Sequence, residues 1–332
     1  MIKLGVIYGG ISTEHDVSLM SAKSVIDNLD KEKYEIHEIY INQYGKWFED
    51  KDGEKEEIYN LIWKLKELDV VFPVLHGKGG EDGTIQGMLE MLQVPYVGCG
   101  VLASSVGMDK VYTKIVFDKA EIAQAPYIYI KKSENNYLIV NENFEEEEFK
   151  IEKITSKLKF PMFVKPSNSG SSVGVKKATN DQELKMAIQH AGEYDTKILV
   201  EQGIDGKEVE CAILDGKEVL ASTVGEIMSA EDFYSFDAKY NIPESKTVIP
   251  ANITEDQIEE IRKLAVRAFK AIDGKGLSRV DFFVEKETNK IYINEINTLP
   301  GFTKISMYPK LFEAVGVSYS ELLDKLIQNA MK

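Results

Sequence analysis

The sequence predicts an α/β protein with a doubly wound amino-terminal unit, continued by α+β regions built on antiparallel strands. Three observations carry that expectation. Apolar strand-like runs alternate with stretches of helical spacing from residue 2 to about residue 104. Strand-like runs at 197–203, 207–214 and 217–224 follow one another with no helix between them, the last two meeting at Asp215-Gly216, a hairpin signal. Finally, 279–284 and 290–296 flank the turn-forming Glu287-Thr288-Asn289, a second hairpin in which Asn289 can take the left-handed position.

At 332 residues the chain can build two or three packed units, since domains run ~100–200 residues. A net charge of −15 argues against recognition of a nucleic-acid backbone or an anionic membrane through the general field, although a local basic site can hold a nucleotide. Cys99 and Cys211 lie far apart without metal spacing, so no disulfide framework and a reducing compartment are expected. No basic start is followed by a signal-type apolar region, and no apolar run approaches the ~18 residues of a membrane span. The expected location is therefore cytoplasmic.

Residues 2–8 read as a buried strand entering Gly9-Gly10, and Val17, Met20, Val25 and Leu29 mark the helix that follows. This turn is not GxGxxG, and the second strand, 35–41, does not end on an acid, so a dinucleotide fold is weakly supported. A helix is expected over 56–67 and a strand over 69–75, leading into the loop HGKGGEDGTIQG, then a helix from Thr84 to Leu92 and the strand VPYVG. One helix is expected over 105–120 and a strand over 126–131. The polar segment up to 160, with its block of four glutamates, reads as a solvated excursion. Strand, small-residue loop and strand follow in FPMFVKPSNSGSSVGVKKA, then a helix over 181–191. After the three strands already named, 231–242 reads as a long ordered loop or lid ending at Lys239 and Tyr240. Helices at 254–272, 306–315 and 318–330 complete the chain.

Chemistry concentrates in a few of these segments. In the second hairpin, Asp281 is expected opposite Glu295 and Arg279 opposite Asn297, with all four side chains on one face. Such a cluster is either a solvated charged face or a site for a hard cation carrying phosphate. Lys165 ends a strand before Ser167, Ser169, Gly170, Ser171 and Ser172, a loop rich in donors of the kind that cradle phosphate, although a plain surface hairpin would use the same residues. It is not a Walker loop, because the lysine precedes the glycine. Glu14 is either a helix-dipole or capping acid or a carboxylate aimed at a ligand ammonium. His76 can be a structural histidine or part of a ligand-facing turn, and Glu201 and Glu208 can line a groove between sheets.

Taken in order, GGISTEHDVS, HGKGGEDGTIQG, PYVG, MDK, KPSNSGSSVGV, RVDFFV and INEINTLPGFTKISMYP resemble the D-alanine:D-alanine ligases of the ATP-grasp superfamily nearly end to end. The resemblance implies an ATP-grasp fold preceded by a Rossmann-like domain: 1–104 facing the amino acids, 105–200 as the central grasp subdomain, and 201–332 carrying the metal site and lid. It implies ATP-dependent joining of two D-alanines through an acylphosphate and a tetrahedral intermediate, for peptidoglycan synthesis, by a homodimer. Asp281, Glu295 and Asn297 would hold two Mg2+ or Mn2+ ions. Lys110 and Lys165 would reach the ATP phosphates with help from Ser172 and Lys239, Glu201, Gln202 and Ile204 would meet adenine, Glu208 the ribose, and Phe283 would pack on the base. Glu14, through Ser171 and Tyr240, would orient the first D-alanine near His76. Ser306 and Met307 would meet the second, and Arg279 with Gly301 would stabilise the oxyanion.

Other readings make distinct demands. A silent ATP-binding regulator would be favoured by loss of a metal ligand or of Arg279, and none is lost. A nicotinamide oxidoreductase would need the missing glycine fingerprint. D-lactate and D-serine ligases depart from the family pattern around the lid and the SMYP segment, where Tyr240 and Met307 here resemble the D-alanine-specific members.

Overall fold

The computed structural model describes residues 1–51, 53–134, 136–228 and 246–332. Strands β1 (Ile2–Gly9), β2 (Tyr34–Ile41), β3 (Trp47–Lys51), β4 (Glu54–Glu57) and β5 (Val70–Val74) form one sheet in the order β4-β3-β2-β1-β5. β1 lies parallel to β2 and β5, and its near-continuous burial suits a parallel strand covered on both faces. Helices α1 (His15–Asn28), α2 (Leu61–Lys66) and α3 (Thr84–Leu92) belong to this unit. The helix expected over 56–67 is shortened, because 54–57 pair antiparallel with β3 and hand the chain to α2 only at Asn60, whose side chain caps Trp63 N. A ladder partner here overrides the helical preference of a Glu/Lys run. VPYVG contributes only the bridge Val71–Tyr96.

The single helix expected over 105–120 is two, α4 (Val101–Met108) and α5 (Lys110–Lys119). Asp109 between them is extended and caps α5 through Tyr112 N. The second sheet, β10-β9-β11-β6-β7-β8, is formed by β6 (Tyr127–Ser133), β7 (Asn136–Val140), β8 (Glu146–Glu148), β9 (Met162–Pro166), β10 (Lys176–Ala178) and β11 (Lys197–Gln202). The segment expected as a solvated excursion is thus the edge of a sheet, followed by α6 (Ile151–Thr155). Its glutamates are tolerated in a strand because Lys131, Lys153 and Lys150 pair with Glu146, Glu147 and Glu148. Helix α7 (Asp181–Ala191) covers this sheet, Asn180 capping Glu183 N.

A third sheet, β14-β13-β12-β15-β16, uses β12 (Gly206–Leu214), β13 (Leu220–Met228), β14 (Lys246–Val248), β15 (Leu277–Glu285) and β16 (Ile291–Asn297), all antiparallel. β12 and β13 are joined by residues 215–219, a longer link than the two-residue turn that Asp215-Gly216 suggests. In the other hairpin Asn289 is left-handed, φ 59°, and Arg279 faces Asn297 and Asp281 faces Glu295 as expected. Beyond them a bulge shifts the pairing, so Phe282 faces Ile293 and Asn294 is the extra residue. Helix α8 (Glu255–Ala271) enters through a capping box at Thr254 and Gln257 and packs its apolar stripe on this sheet. Helices α9 (Met307–Glu313) and α10 (Tyr319–Ala330) join β1, β5 and α1 in one core with Ala212 and Leu277. The first and third sheets are therefore held by shared apolar packing. Among the described residues no helix is long and apolar enough to cross a membrane.

Candidate active site

A cavity of about 620 Å³ lies where the loops of the first sheet meet the facing sides of the second and third. That is the size of a small-molecule site. Glu14, His76, Lys110, Lys165, Ser171, Ser172, Glu201, Gln202, Ile204, Glu208, Arg279, Phe283, Glu295, Asn297, Gly301, Ser306 and Met307 all line it. Asp281 lies directly behind Arg279 and Asn297, bonded to both. Lys239 and Tyr240, with the expected lid, fall outside the described residues.

Glu14 sits just before α1 and accepts a hydrogen bond from the Ser171 hydroxyl, which links the amino-terminal unit to the 167–174 loop. Two glycines leave room for its carboxylate: a Cβ on Gly77 or Gly170 would approach Glu14 Oε2 to 2.3 or 2.5 Å. Gly77 also has φ +71°, which a side chain would oppose. His76 is buried, with Nε2 2.9 Å from Ser21 Oγ and Nδ1 3.4 Å from Glu81 Oε1, and its carbonyl accepts from Ser12.

The loop after β9 is tied down at both ends. Ser167 Oγ donates to Asp109 Oδ1 at 2.5 Å, Lys110 N donates to Ser167 O, and Lys110 Nζ donates to Ser169 O at 2.6 Å. Asp109 also pairs with Lys197. Burial raises the Asp109 pKa, but Lys197 and Ser167 hold it below the usual range. Ser171 and Ser172 are both left-handed, at φ 47° and 59°, and Gly174 follows at 76°. The loop is closed by its own turns, Val173 N donating to Gly170 O and Val175 N to Ser172 O.

Behind the loop, Glu201 on β11 bridges two lysines: its Oε2 lies 2.5 Å from Lys165 Nζ and its Oε1 2.5 Å from Lys114 Nζ. Burial raises the Glu201 pKa, and Lys114 and Lys165 outweigh it, pushing it down to about 2. At Lys114 burial wins and the pKa is lowered; at Lys165 burial is overcome by Glu201, with Glu295 and Glu208 adding to it, and the pKa is raised.

On the third sheet, Arg279 forks onto Asp281, with Nε to Oδ1 at 2.8 Å and Nη2 to Oδ2 at 2.7 Å, and its Nε lies 3.0 Å from Glu210 Oε2. Burial opposes its charge, but Asp281 and Glu210 hold its pKa well above the usual value. Asn297 Nδ2 donates to Asp281 Oδ2 at 3.1 Å. At the start of α9, Ser306 Oγ takes Thr303 N at 3.0 Å, and a Cβ on Gly301 would come within 2.9 Å of it.

Three residues outside the expected site also belong to this arrangement. Lys114 stands one helical turn after Lys110, Glu210 two residues after Glu208 on the same strand, and Asp109 beside Lys110. Periodicity puts Lys114 on the helix face of Lys110 and Glu210 on the strand face of Glu208, but the ion pairs that give them a role come from other elements.

The chain resembles known families and solved structures. The D-ala D-ala ligase C-terminus family matches residues 116–328, and the D-ala D-ala ligase N-terminus family matches 3–62 and 51–99. A protein of Acetivibrio thermocellus named D-alanine–D-alanine ligase is 49% identical over 98% of this chain and 95% of its own length. A Clostridium novyi relative of the same name is 46% identical over 99% and 98%. Among solved structures, the VanG D-Ala:D-Ser ligase of Enterococcus faecalis matches with a TM-score of 0.86, 35% identity and 99% coverage of both chains. The D-alanine–D-alanine ligase of Bacillus anthracis complexed with ATP matches with 0.80, 32% identity, and 100% and 98% coverage.

Proposed function

The chain belongs to the D-alanine–D-alanine ligase family, and from that premise we propose that it joins two D-alanines at the expense of ATP, making D-alanyl-D-alanine for peptidoglycan. The observation that carries the assignment of roles is the Ser171–Glu14 hydrogen bond across one cavity. It brings a carboxylate suited to an amino acid's ammonium against a loop suited to phosphate.

In this reading ATP lies between the second and third sheets. Glu201, Gln202 and Ile204 border the adenine, Phe283 packs on it, and Glu208 meets the ribose. Lys110, Lys165, Ser172 and Lys239 neutralise and orient the phosphates. Glu14, held by Ser171 and joined by Tyr240 and His76, fixes the first D-alanine so that its carboxylate oxygen faces the γ-phosphorus. Transfer forms the acylphosphate and releases ADP. This step needs positioning and charge neutralisation rather than a protein nucleophile, and Ser171, whose hydroxyl is committed to Glu14, serves as a positioning group. Ser306 and Met307 hold the second D-alanine. Its free amine attacks the acyl carbon, Arg279 and the Gly301 backbone stabilise the oxyanion, and phosphate leaves.

Asp281, Glu295 and Asn297 would hold two Mg2+ or Mn2+ ions. The donors fit, being all oxygen, the choice of hard cations. Asn297 gives its amide nitrogen to Asp281, which leaves the amide oxygen as the ligand atom. When bound, such ions neutralise phosphate charge. A homodimer in the cytoplasm, with units 1–104, 105–200 and 201–332, completes the proposal; the second boundary falls within β11, and 203–205 would follow the sheet edges better.

The test incubates the protein with ATP and Mg2+ and, separately, D-alanine, D-lactate or D-serine, reading phosphate release and product mass. D-alanine is expected to stimulate release and yield the dipeptide. Glu295→Gln is expected to lower that rate by about 10²- to 10³-fold while remaining folded. No stimulation by D-alanine would end the ligase reading, and full turnover in Glu295→Gln would end the metal assignment.

A further inference from the structure

We propose that Glu210, which has no part in the roles assigned above, is a positioning residue that holds Arg279 in place for the ligation step, an inference that rests on the ligase reading above. Its placement follows from strand register. Glu210 on β12 pairs with Asp281 on β15, which pairs with Glu295 on β16, so acids from three adjacent strands stand in one row. Directly paired residues share a face of the sheet, as does Arg279 two residues before Asp281. The Glu210 and Asp281 side chains are 4% and 3% exposed, and Arg279 lies against both.

Glu210 faces the Arg279 guanidinium rather than a three-carboxylate cluster. Among the described residues, no group of three His, Cys, Asp or Glu side chains is placed to hold a metal together. The guanidinium is an ion-pair partner, its Nε 3.0 Å from Glu210 Oε2 while the Nε–H itself is given to Asp281.

That partnership resolves a conflict at Asp281. Both its oxygens already accept from Arg279, and Oδ2 accepts from Asn297 as well. An Asp281 that turns toward a cation loosens its grip on Arg279, and a buried guanidinium needs another anion to stay put. Glu210 supplies it from the neighbouring strand. The same carboxylate allows Arg279 to remain fixed where the oxyanion forms while Asp281 serves the metal.

Glu210→Gln keeps the shape and removes the charge. Its kcat for ligation is expected to fall about 10- to 100-fold, the usual effect of losing a group that orients another, with KM for ATP little changed. Mn2+ binding in the presence of ADP, followed by the paramagnetic resonance signal of free Mn2+, is expected to weaken. Loss of a negative charge and a tighter Arg279–Asp281 fork act in the same direction. In an Arg279→Lys background, Glu210→Gln is expected to cost much less than in the wild type, because residues that act as one unit are not additive. Glu210→Asp, which withdraws the carboxylate by one methylene, should fall between, and it carries the test if the Gln variant does not fold.

Wild-type kcat in a folded Glu210→Gln, or full additivity with Arg279→Lys, overturns the proposal. An inactive wild-type protein would instead overturn the ligase reading, and the Mn2+ titration then decides on Glu210 alone: unchanged affinity in Glu210→Gln rejects its role.

Discussion

At Glu201 one carboxylate serves two lysines inside the protein, and that arrangement has a pH signature. An unfolded glutamate titrates near ~4.3, whereas burial, outweighed by Lys114 and Lys165, leaves the folded group at about 2. A depressed pKa contributes stability that is present above the unfolded value and lost as pH falls toward the folded one. The melting temperature of the wild type is therefore expected to drop more steeply than that of Glu201→Gln on acidification from about pH 4.3 to pH 2. Parallel curves for the two proteins would contradict the pairing. Residues inside continuous motifs, such as Glu14, Lys165 and Arg279, were legible because neighbouring letters announced them. Lys114 and Glu210 were not, since each acquires meaning only from a partner on another element, Glu201 for one and Arg279 for the other.

Among the elements, the break between α4 and α5 best separates local from tertiary causes. Helix formers and apolar spacing run through 105–120, so local preference favours one helix. The break is decided by Asp109, whose side chain caps α5 and takes the hydroxyl of Ser167, tying the helix start to the loop after β9. Asp109→Ala is expected to cost about 1–3 kcal/mol of stability, from the lost cap and the buried donor left behind. Urea unfolding would measure it. The same variant should raise the KM for ATP, because Lys110 and the 167–174 loop lose their common anchor; an unchanged KM would break that link. The short helix at 61–66 and the edge strand of glutamates teach the same lesson. Sheet partners, β3 in one case and β7 in the other, override the preferences of highly charged runs.

Across the whole molecule, the apolar core shared by the first and third sheets holds the amino-acid end of the cavity to the end that carries Arg279. Cys99 lies on that boundary, donating from Sγ to the carbonyls of Lys275 and Leu277, while Cys211 is buried beneath α8. Burial pushes both thiols up to about 12. Thiolate is the reactive form, so neither cysteine of the native protein should react with an alkylating reagent at neutral pH, and both should react after denaturation. Fast labelling of Cys99 in the folded state would mean that the first and third units part readily. Strand period and turn chemistry are local, so the amino-acid order carries the family motifs, the alternation of the first sheet, and the face shared by Asp281, Glu295, Asn297 and Arg279. Tertiary structure alone decided where helices break, which charged runs become strands, the bulge at Asn294 and the partners of Lys114 and Glu210. Those outcomes depend on desolvation and pairing between residues distant in the chain, and no local preference encodes them.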